Sequence, residues 1–270
     1  MTNKKFSISE MKLFKACRQA WYLKYHEHLE VIDKSESLKT GLSYHSKIED
    51  LYAGKLDTSD LSKESAMAMA YQKYIYPKFK VSSTEDWFVK EIGNGYSIIG
   101  RTDGIADDGT LVEHKTTSVT NLEEYEFDLQ WDEQLMAYMF AKDVREIWYT
   151  ICRKPNIRQK VNESDEEFFE RMVKWFDEDT DQKIRVIKIS RTDEQIEKFR
   201  RHLLKMGFEI KHSTDNTDAN IYRNTAYCTK WGTRCEYANI CLNYNPNEEY
   251  AGFIKDERRI DYGTQGTETN

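Results

Sequence analysis

Gly100-Arg101-Thr102-Asp103, Leu111-Val112-Glu113-His114-Lys115-Thr116-Thr117 and Gln134-Leu135-Met136-Ala137-Tyr138 follow one another in mid-chain as two strand-like segments and a helical one. The second segment is a strand, Thr110–Lys115, and Asp107-Asp108-Gly109 before it is a turn signal. Upstream, the strands Trp87–Ile92 and Tyr96–Arg101 flank Gly93-Asn94-Gly95, a hairpin turn. Three short strands in tandem predict an antiparallel meander. A helix from about Leu129 to Lys142 then carries Gln134 and Tyr138 on one face, four residues apart.

Working outward, Glu146–Cys152 is apolar enough for a central strand, and Ile184–Ile189 alternates apolar and basic residues as a fifth. Thr192-Asp193-Glu194-Gln195 caps a helix to about Lys211. Toward the N-terminus, Ser7-Ile8-Ser9-Glu10 caps a helix to about Tyr25, and further helices are expected over Thr40–Ala53 and Ser62–Tyr76. Residues 154–182 read as a charged insertion with a helix capped by Ser164-Asp165-Glu166-Glu167. This order predicts an α/β fold with a mixed central sheet flanked by helices, restriction-endonuclease-like in outline. One domain is expected over residues 1–249, with a polar tail over 250–270.

The chain has 270 residues, 39% of them hydrophobic and 32% charged, a globular composition. It has no apolar run of about eighteen residues that would span a membrane. Its N-terminus lacks the apolar region of a secretory signal, so a cytoplasmic protein is expected, in a bacterium or a phage-infected host. A formal charge of −7 speaks against a sequence-independent DNA coat. It leaves room for a nuclease with carboxylate metal ligands and a local basic groove.

Residues i and i+2 of a strand share a face, so Glu113 and Lys115 project together. A carboxylate beside an ammonium suits phosphodiester hydrolysis, although Glu-x-Lys is also an ordinary cross-strand ion pair. Asp103, across the hairpin, adds a second carboxylate, unless it merely begins a turn before Gly104. Together they make an oxygen-rich site for Mg²⁺ or Mn²⁺. His45 would favour Mn²⁺ as an added ligand, or it is a plain surface histidine. Trp21, Tyr22 and Tyr25 are candidate base-stacking residues, with core packing as the alternative.

The three central segments in order, preceded by Gly41-Leu42-Ser43-Tyr44-His45, resemble the successive motifs of the RecB-family nucleases in the PD-(D/E)XK superfamily. The resemblance runs from about residue 7 to residue 245. It implies His45, Asp103 and Glu113 as metal ligands, Lys115 as the catalytic lysine, and Gln134 and Tyr138 as substrate-side support. It implies DNA as substrate, with single-stranded ends favoured, and exonuclease activity in recombination, repair or replication. No Walker-type phosphate loop is present, so any unwinding falls to a helicase or recombination partner. The rival readings are a non-catalytic DNA-binding subunit and a zinc-stabilised interaction protein.

Of five cysteines, Cys228, Cys235 and Cys241 cluster near the C-terminus, and Cys17 lies near the N-terminus. Such clustering in an intracellular chain points to a metal or cluster site. One distant cysteine plus three C-terminal ones resembles the iron–sulfur members of this nuclease family, including AddB-type and CRISPR-associated exonucleases. That implies a [4Fe–4S] cluster joining residues 7–25 to residues 222–245. The family often places two residues between its first two C-terminal cysteines, whereas six separate Cys228 from Cys235. The alternatives are zinc and free thiols. Cys152, within an apolar strand, reads as a buried small hydrophobe.

Overall fold

The computed structural model describes residues 4–215, 220–230, 234–242 and 252–256. In chain order the elements are β1 (Lys4–Ser7), α1 (Ile8–Ala16), α2 (Arg18–Trp21), a π-helical turn (Tyr22–His26), β2 (Leu29–Val31), α3 (Glu36–Tyr52) and α4 (Lys63–Tyr74). Then come β3 (Val81–Gly93), β4 (Tyr96–Ala106), β5 (Leu111–Thr117), α5 (Leu122–Leu129), α6 (Glu133–Lys142) and β6 (Glu146–Arg153). The remainder comprises α7 (Asp165–Trp175), β7 (Ile184–Ser190), α8 (Asp193–Asp215), α9 (Ala238–Leu242) and β8 (Phe253–Lys255). The fold is mixed α/β, with a central mixed sheet flanked by helices. The chain groups into two compact units, Ser35–Trp87 with Arg101–Ile196, and Met1–Lys34 with Phe88–Gly100 and Glu197–Asn270.

In the first of these units, β4 and β5 run antiparallel, β5 and β6 parallel, and β6 and β7 antiparallel. A parallel neighbour needs a crossover, which α5 and α6 supply between β5 and β6. Tyr44, Ile48 and Leu51 of α3 and Met67, Ala68 and Tyr71 of α4 form one core with Val112, Cys152 and Ile184 of the sheet. Ala66, Ala68 and Ala70 are almost fully buried, and such small side chains let α4 approach its neighbours closely. Phe169 and Met172 of α7, within the expected insertion, form a separate small cluster with Ala66 of α4.

In the other unit, β1 pairs in parallel with the first half of β4, from Lys4↔Tyr96 to Ser7↔Ile99. The hairpin turn holds Gly93, Asn94 and Gly95 at φ 118°, 54° and 76°, a run that glycine and asparagine tolerate best. A Cβ on Gly100 would lie 2.6 Å from Phe88 Cζ, so the Phe88 ring uses the missing side chain. Gly207 likewise lets α8 approach Phe6 and Tyr96; a Cβ there would meet Phe6 Cε2 at 3.2 Å.

Several expectations shift. The helix expected from Ser7 to Tyr25 breaks at Cys17, whose backbone is extended at φ −160° and ψ 114°. Trp21 is 1% exposed, its ring edge-on to Phe14, and its indole donates to Glu10; it belongs to the core and cannot stack on bases. The helix expected from about Leu129 to Lys142 starts at Glu133, capped by Asp132, and a separate helix not expected from the sequence, α5, capped by Asn121, ends at Leu129. The helix expected from Thr40 starts at Glu36, because Ser35 caps it. Strand β3 begins at Val81 rather than Trp87. The segment read as a polar tail contributes β8, antiparallel to β2; residues 257–270 lie outside the described residues. Among the described residues no helix is long and apolar enough to cross a membrane.

Candidate active site

Along β4, Arg101, Asp103 and Ile105 face the open side while Thr102, Gly104 and Ala106 are buried. Strands β4 and β5 pair at Ile105↔Leu111 and Gly104↔Val112. Beside these pairs a side chain extends the ladder, with Asp103 Oδ2 accepting the His114 amide at 2.8 Å. Asp103 is thereby tied to the strand that carries Glu113 and Lys115. Lys115 Nζ donates to Glu113 Oε1 at 2.6 Å.

Helix α6 braces this pair. Asp132 caps it, accepting the Gln134 amide at 3.0 Å through Oδ1 and the Tyr149 hydroxyl at 2.9 Å through Oδ2. Gln134 Nε2 donates to Glu113 Oε1 at 3.1 Å and to the Tyr138 hydroxyl at 2.6 Å, while Gln134 Oε1 accepts from Lys115 at 3.2 Å. The Tyr138 hydroxyl in turn donates to the Arg101 carbonyl at 2.7 Å. One orientation of the Gln134 amide serves all three of its side-chain bonds, with Nε2 donating twice and Oε1 accepting once.

His45, on α3, places Nδ1 3.5 Å from Asp103 Oδ1. Burial disfavours its charged ring, but Asp103 more than compensates and raises its pKa. Burial also opposes ionisation of Asp103, yet His45 holds that carboxyl below the usual range. Glu113 moves the other way: burial and the Asp103 charge push it up, to about 7, against the pull of Lys115. Glu113 and Asp103 keep Lys115 protonated despite its burial. His114, on the opposite face, is held neutral by burial with its pKa at about 4, and its Nδ1 lies 2.7 Å from Thr150 Oγ1.

Glu113 Oε2 is buried and has no hydrogen-bond partner. Two neighbouring carboxylates that repel, one with an unsatisfied oxygen, fit a hard divalent cation in donor type and charge. Among the described residues, no three His, Cys, Asp or Glu side chains form a ready-made metal-ligating group.

The cysteines meet elsewhere, within the unit that contains both chain ends. Cys17 is buried in a cluster with Ala20, Leu23, Tyr237 and Ile240, against which Cys235 and Cys241 pack. The Cys235 amide donates to the Cys228 carbonyl at 2.8 Å, closing the six-residue gap. The Asn224 amide donates to Cys17 Sγ at 3.4 Å. Burial pushes the Cys235 thiol up to about 11, and neighbouring Cys17 and Cys241 add to it; Cys241 is raised by burial and also feels Cys17 and Cys228. Cys17, Cys235 and Cys241 thus lie near one another and Cys228 near Cys241, but among the described residues these thiols do not make a ready-made metal-ligating group. Cys152 stands apart, buried in the core behind the sheet.

The candidate site residues named from the sequence lie in two places, His45, Asp103, Glu113, Lys115, Gln134 and Tyr138 in one and Cys17, Cys228, Cys235 and Cys241 in the other, and Cys152 and Trp21 belong to neither. The His114 amide and Asp132 were not anticipated. Asp132 carries a legible signal, an N-cap residue directly before a helix; the His114 amide carries none.

The sequence profile of the PD-(D/E)XK nuclease superfamily matches residues 5–92 and 58–242. The chain belongs to that superfamily. Among solved structures it resembles a candidate exonuclease from Eubacterium rectale, at TM-score 0.50 and 12% identity over 98% of this chain and 94% of that one. It also aligns with an alkaline exonuclease from Laribacter hongkongensis, at TM-score 0.36 and 14% identity over 78% of this chain and 98% of that one. A phage-related exonuclease from Haemophilus somnus matches at TM-score 0.32 and 14% identity, over 68% of this chain and 89% of that one. Comparison with curated proteins finds no match.

Proposed function

We propose that this nuclease is a metal-dependent DNA exonuclease acting on single-stranded ends in recombination, repair or replication. The observation that carries the reading is the buried, unpartnered Oε2 of Glu113 beside Asp103, with Lys115 on the other oxygen of the same carboxylate. Asp103 and Glu113, with His45 adjacent, would hold Mg²⁺ or Mn²⁺. Such an ion lowers the pKa of water and neutralises phosphate charge when bound. Lys115 orients the attacking water and offsets charge developing on the phosphate oxygens. Gln134 fixes Lys115 and Glu113 at their working separation, and Tyr138 fixes Gln134. His45 keeps Asp103 ionised.

The thiol group is read as the ligand set of a [4Fe–4S] cluster with a structural role, since hydrolysis transfers no electrons. It would tie the first helices to the C-terminal segment, restricting the unfolded chain. Metal and acid-labile sulfide analysis of anaerobically purified protein decides between this cluster and zinc. The chain has no phosphate loop, so duplex substrates would reach it through a helicase or recombination partner.

The activity is tested with end-labelled linear and covalently circular single-stranded DNA in Mn²⁺ or Mg²⁺. An exonuclease degrades the linear strand and spares the circle. Cutting of the circle at a comparable rate refutes the end requirement, and inertness toward both refutes the reading.

A further inference from the structure

Arg101 lies on the face of β4 that carries Asp103. Its side chain is 44% exposed, and Nη1 donates to Glu85 Oε2 at 2.5 Å. The guanidinium sits over the Trp87 ring, 5.5 Å from the centroid, and Trp87 itself is 52% exposed. The Arg101 backbone is not free to drift, because its carbonyl accepts the Tyr138 hydroxyl that also binds Gln134. Glu85 reaches Arg101 from a backbone at φ 53°, a conformation that residues other than glycine, asparagine and aspartate seldom adopt. Such outliers gather at ligand clamps and active sites.

We propose that Arg101 and Trp87 form a clamp for single-stranded DNA beside the reacting phosphate, with Glu85 as the counter-charge displaced on binding. The clamp rests on the nuclease reading, which supplies the nucleic acid chain. A guanidinium meets a phosphate with two parallel hydrogen bonds, an interaction stronger than an exposed ion pair in water. An exposed indole stacks on an unpaired base of any identity. Glu85 keeps the site neutral between substrates and opposes an incoming phosphate, so the pair works as an exchange: the guanidinium leaves one anion for another. The face and the rigid backbone aim this exchange at the strand whose next phosphate reaches Asp103.

The test is fluorescence anisotropy with 5′-fluorescein oligodeoxythymidylate in EDTA over a salt series, using wild type, Arg101→Ala, Arg101→Lys, Glu85→Gln and Trp87→Ala. Arg101→Ala is expected to weaken binding about ten-fold and to cut the salt slope by about 0.7, the loss of one single-strand phosphate contact. Arg101→Lys keeps the slope. Glu85→Gln moves the other way and tightens binding, because the competing carboxylate is gone. Trp87→Ala weakens the thymidylate strand more than an abasic strand of equal length. Shifts of the same sign in Arg101→Ala and Glu85→Gln, unchanged binding in both, or no binding by wild type overturn the clamp. Failure of the nuclease reading looks different: wild type then binds DNA as described but degrades none of it in Mn²⁺.

Discussion

Gln134 Nε2 lies 3.1 Å from Glu113 Oε1, while the other end of the same amide accepts Lys115 at 3.2 Å. One planar group therefore sets the spacing of an acid and an amine that attract each other. Removing it leaves Lys115 and Glu113 in contact but unaimed. Gln134→Ala is expected to lower kcat about 10–100-fold, the usual cost of losing a group that orients a ligand, with a smaller change in KM. Steady-state cleavage of a labelled oligonucleotide measures both. A change confined to KM would instead make Gln134 a substrate contact.

The glycine of the Gly100-Arg101-Thr102-Asp103 segment has a packing reason that is separable from chemistry. A Cβ at Gly100 would meet Phe88 Cζ at 2.6 Å. Gly100→Ala should destabilise the protein by about 1–3 kcal/mol through overpacking. Urea denaturation checks this, and an unchanged midpoint would mean that the ring has room to turn.

The pH dependence of stability has a defined contributor outside the active site, the Glu163–Arg171 pair. The Arg171 hydrogen bond holds the Glu163 carboxyl down to about 2, against an ordinary value of 4.5, and both carboxylate oxygens meet the guanidinium, at 2.6 and 2.7 Å. A depressed acid stabilises the fold above its unfolded pKa and loses that contribution as pH falls toward its folded one. Wild type should therefore exceed Glu163→Gln in Tm at pH 7, with the gap closing between about pH 4.5 and pH 2. A gap that stays constant through that range would show that the pair makes no proton-linked contribution.

The cysteine reading separates by position. Cys17→Ser and Cys235→Ser are expected to lose iron and visible absorbance, whereas Cys152→Ala, buried behind the sheet, retains both. Iron analysis of anaerobic preparations checks it. Retention of full iron content by Cys17→Ser would remove the N-terminal helices from the ligand set.

What the sequence showed and what it hid both have physical causes. Ser7 and Ser164 mark helix starts because a hydroxyl before an apolar run satisfies otherwise unpaired amides, and both cap as expected; Ser62, expected only to open a helical span, caps as well. Strand parity put Glu113 and Lys115 together, and the four-residue spacing put Gln134 and Tyr138 together. By contrast, β1 is four residues long and half lysine, and the start of β3 is the polar run Val81-Ser82-Ser83-Thr84-Glu85-Asp86. Neither alternates in hydropathy, so only their pairing partners make them strands. The helical pattern breaks at Cys17, which packs not only with Ala20 and Leu23 but with Tyr237 and Ile240, more than two hundred positions away, contacts that no local signal reports. The parity of Arg101 with Asp103 was legible, but its place over Trp87 was not.

Cleavage of labelled single-stranded DNA in Mn²⁺ by wild type, Glu113→Gln and Lys115→Ala is the most direct measurement. Wild type should degrade the strand and lose that activity in EDTA, and both variants should fall by at least about 10³-fold with their folded circular dichroism intact. Activity near wild type in Lys115→Ala, or wild-type cleavage that survives chelation, would contradict a reaction built on these carboxylates and this amine.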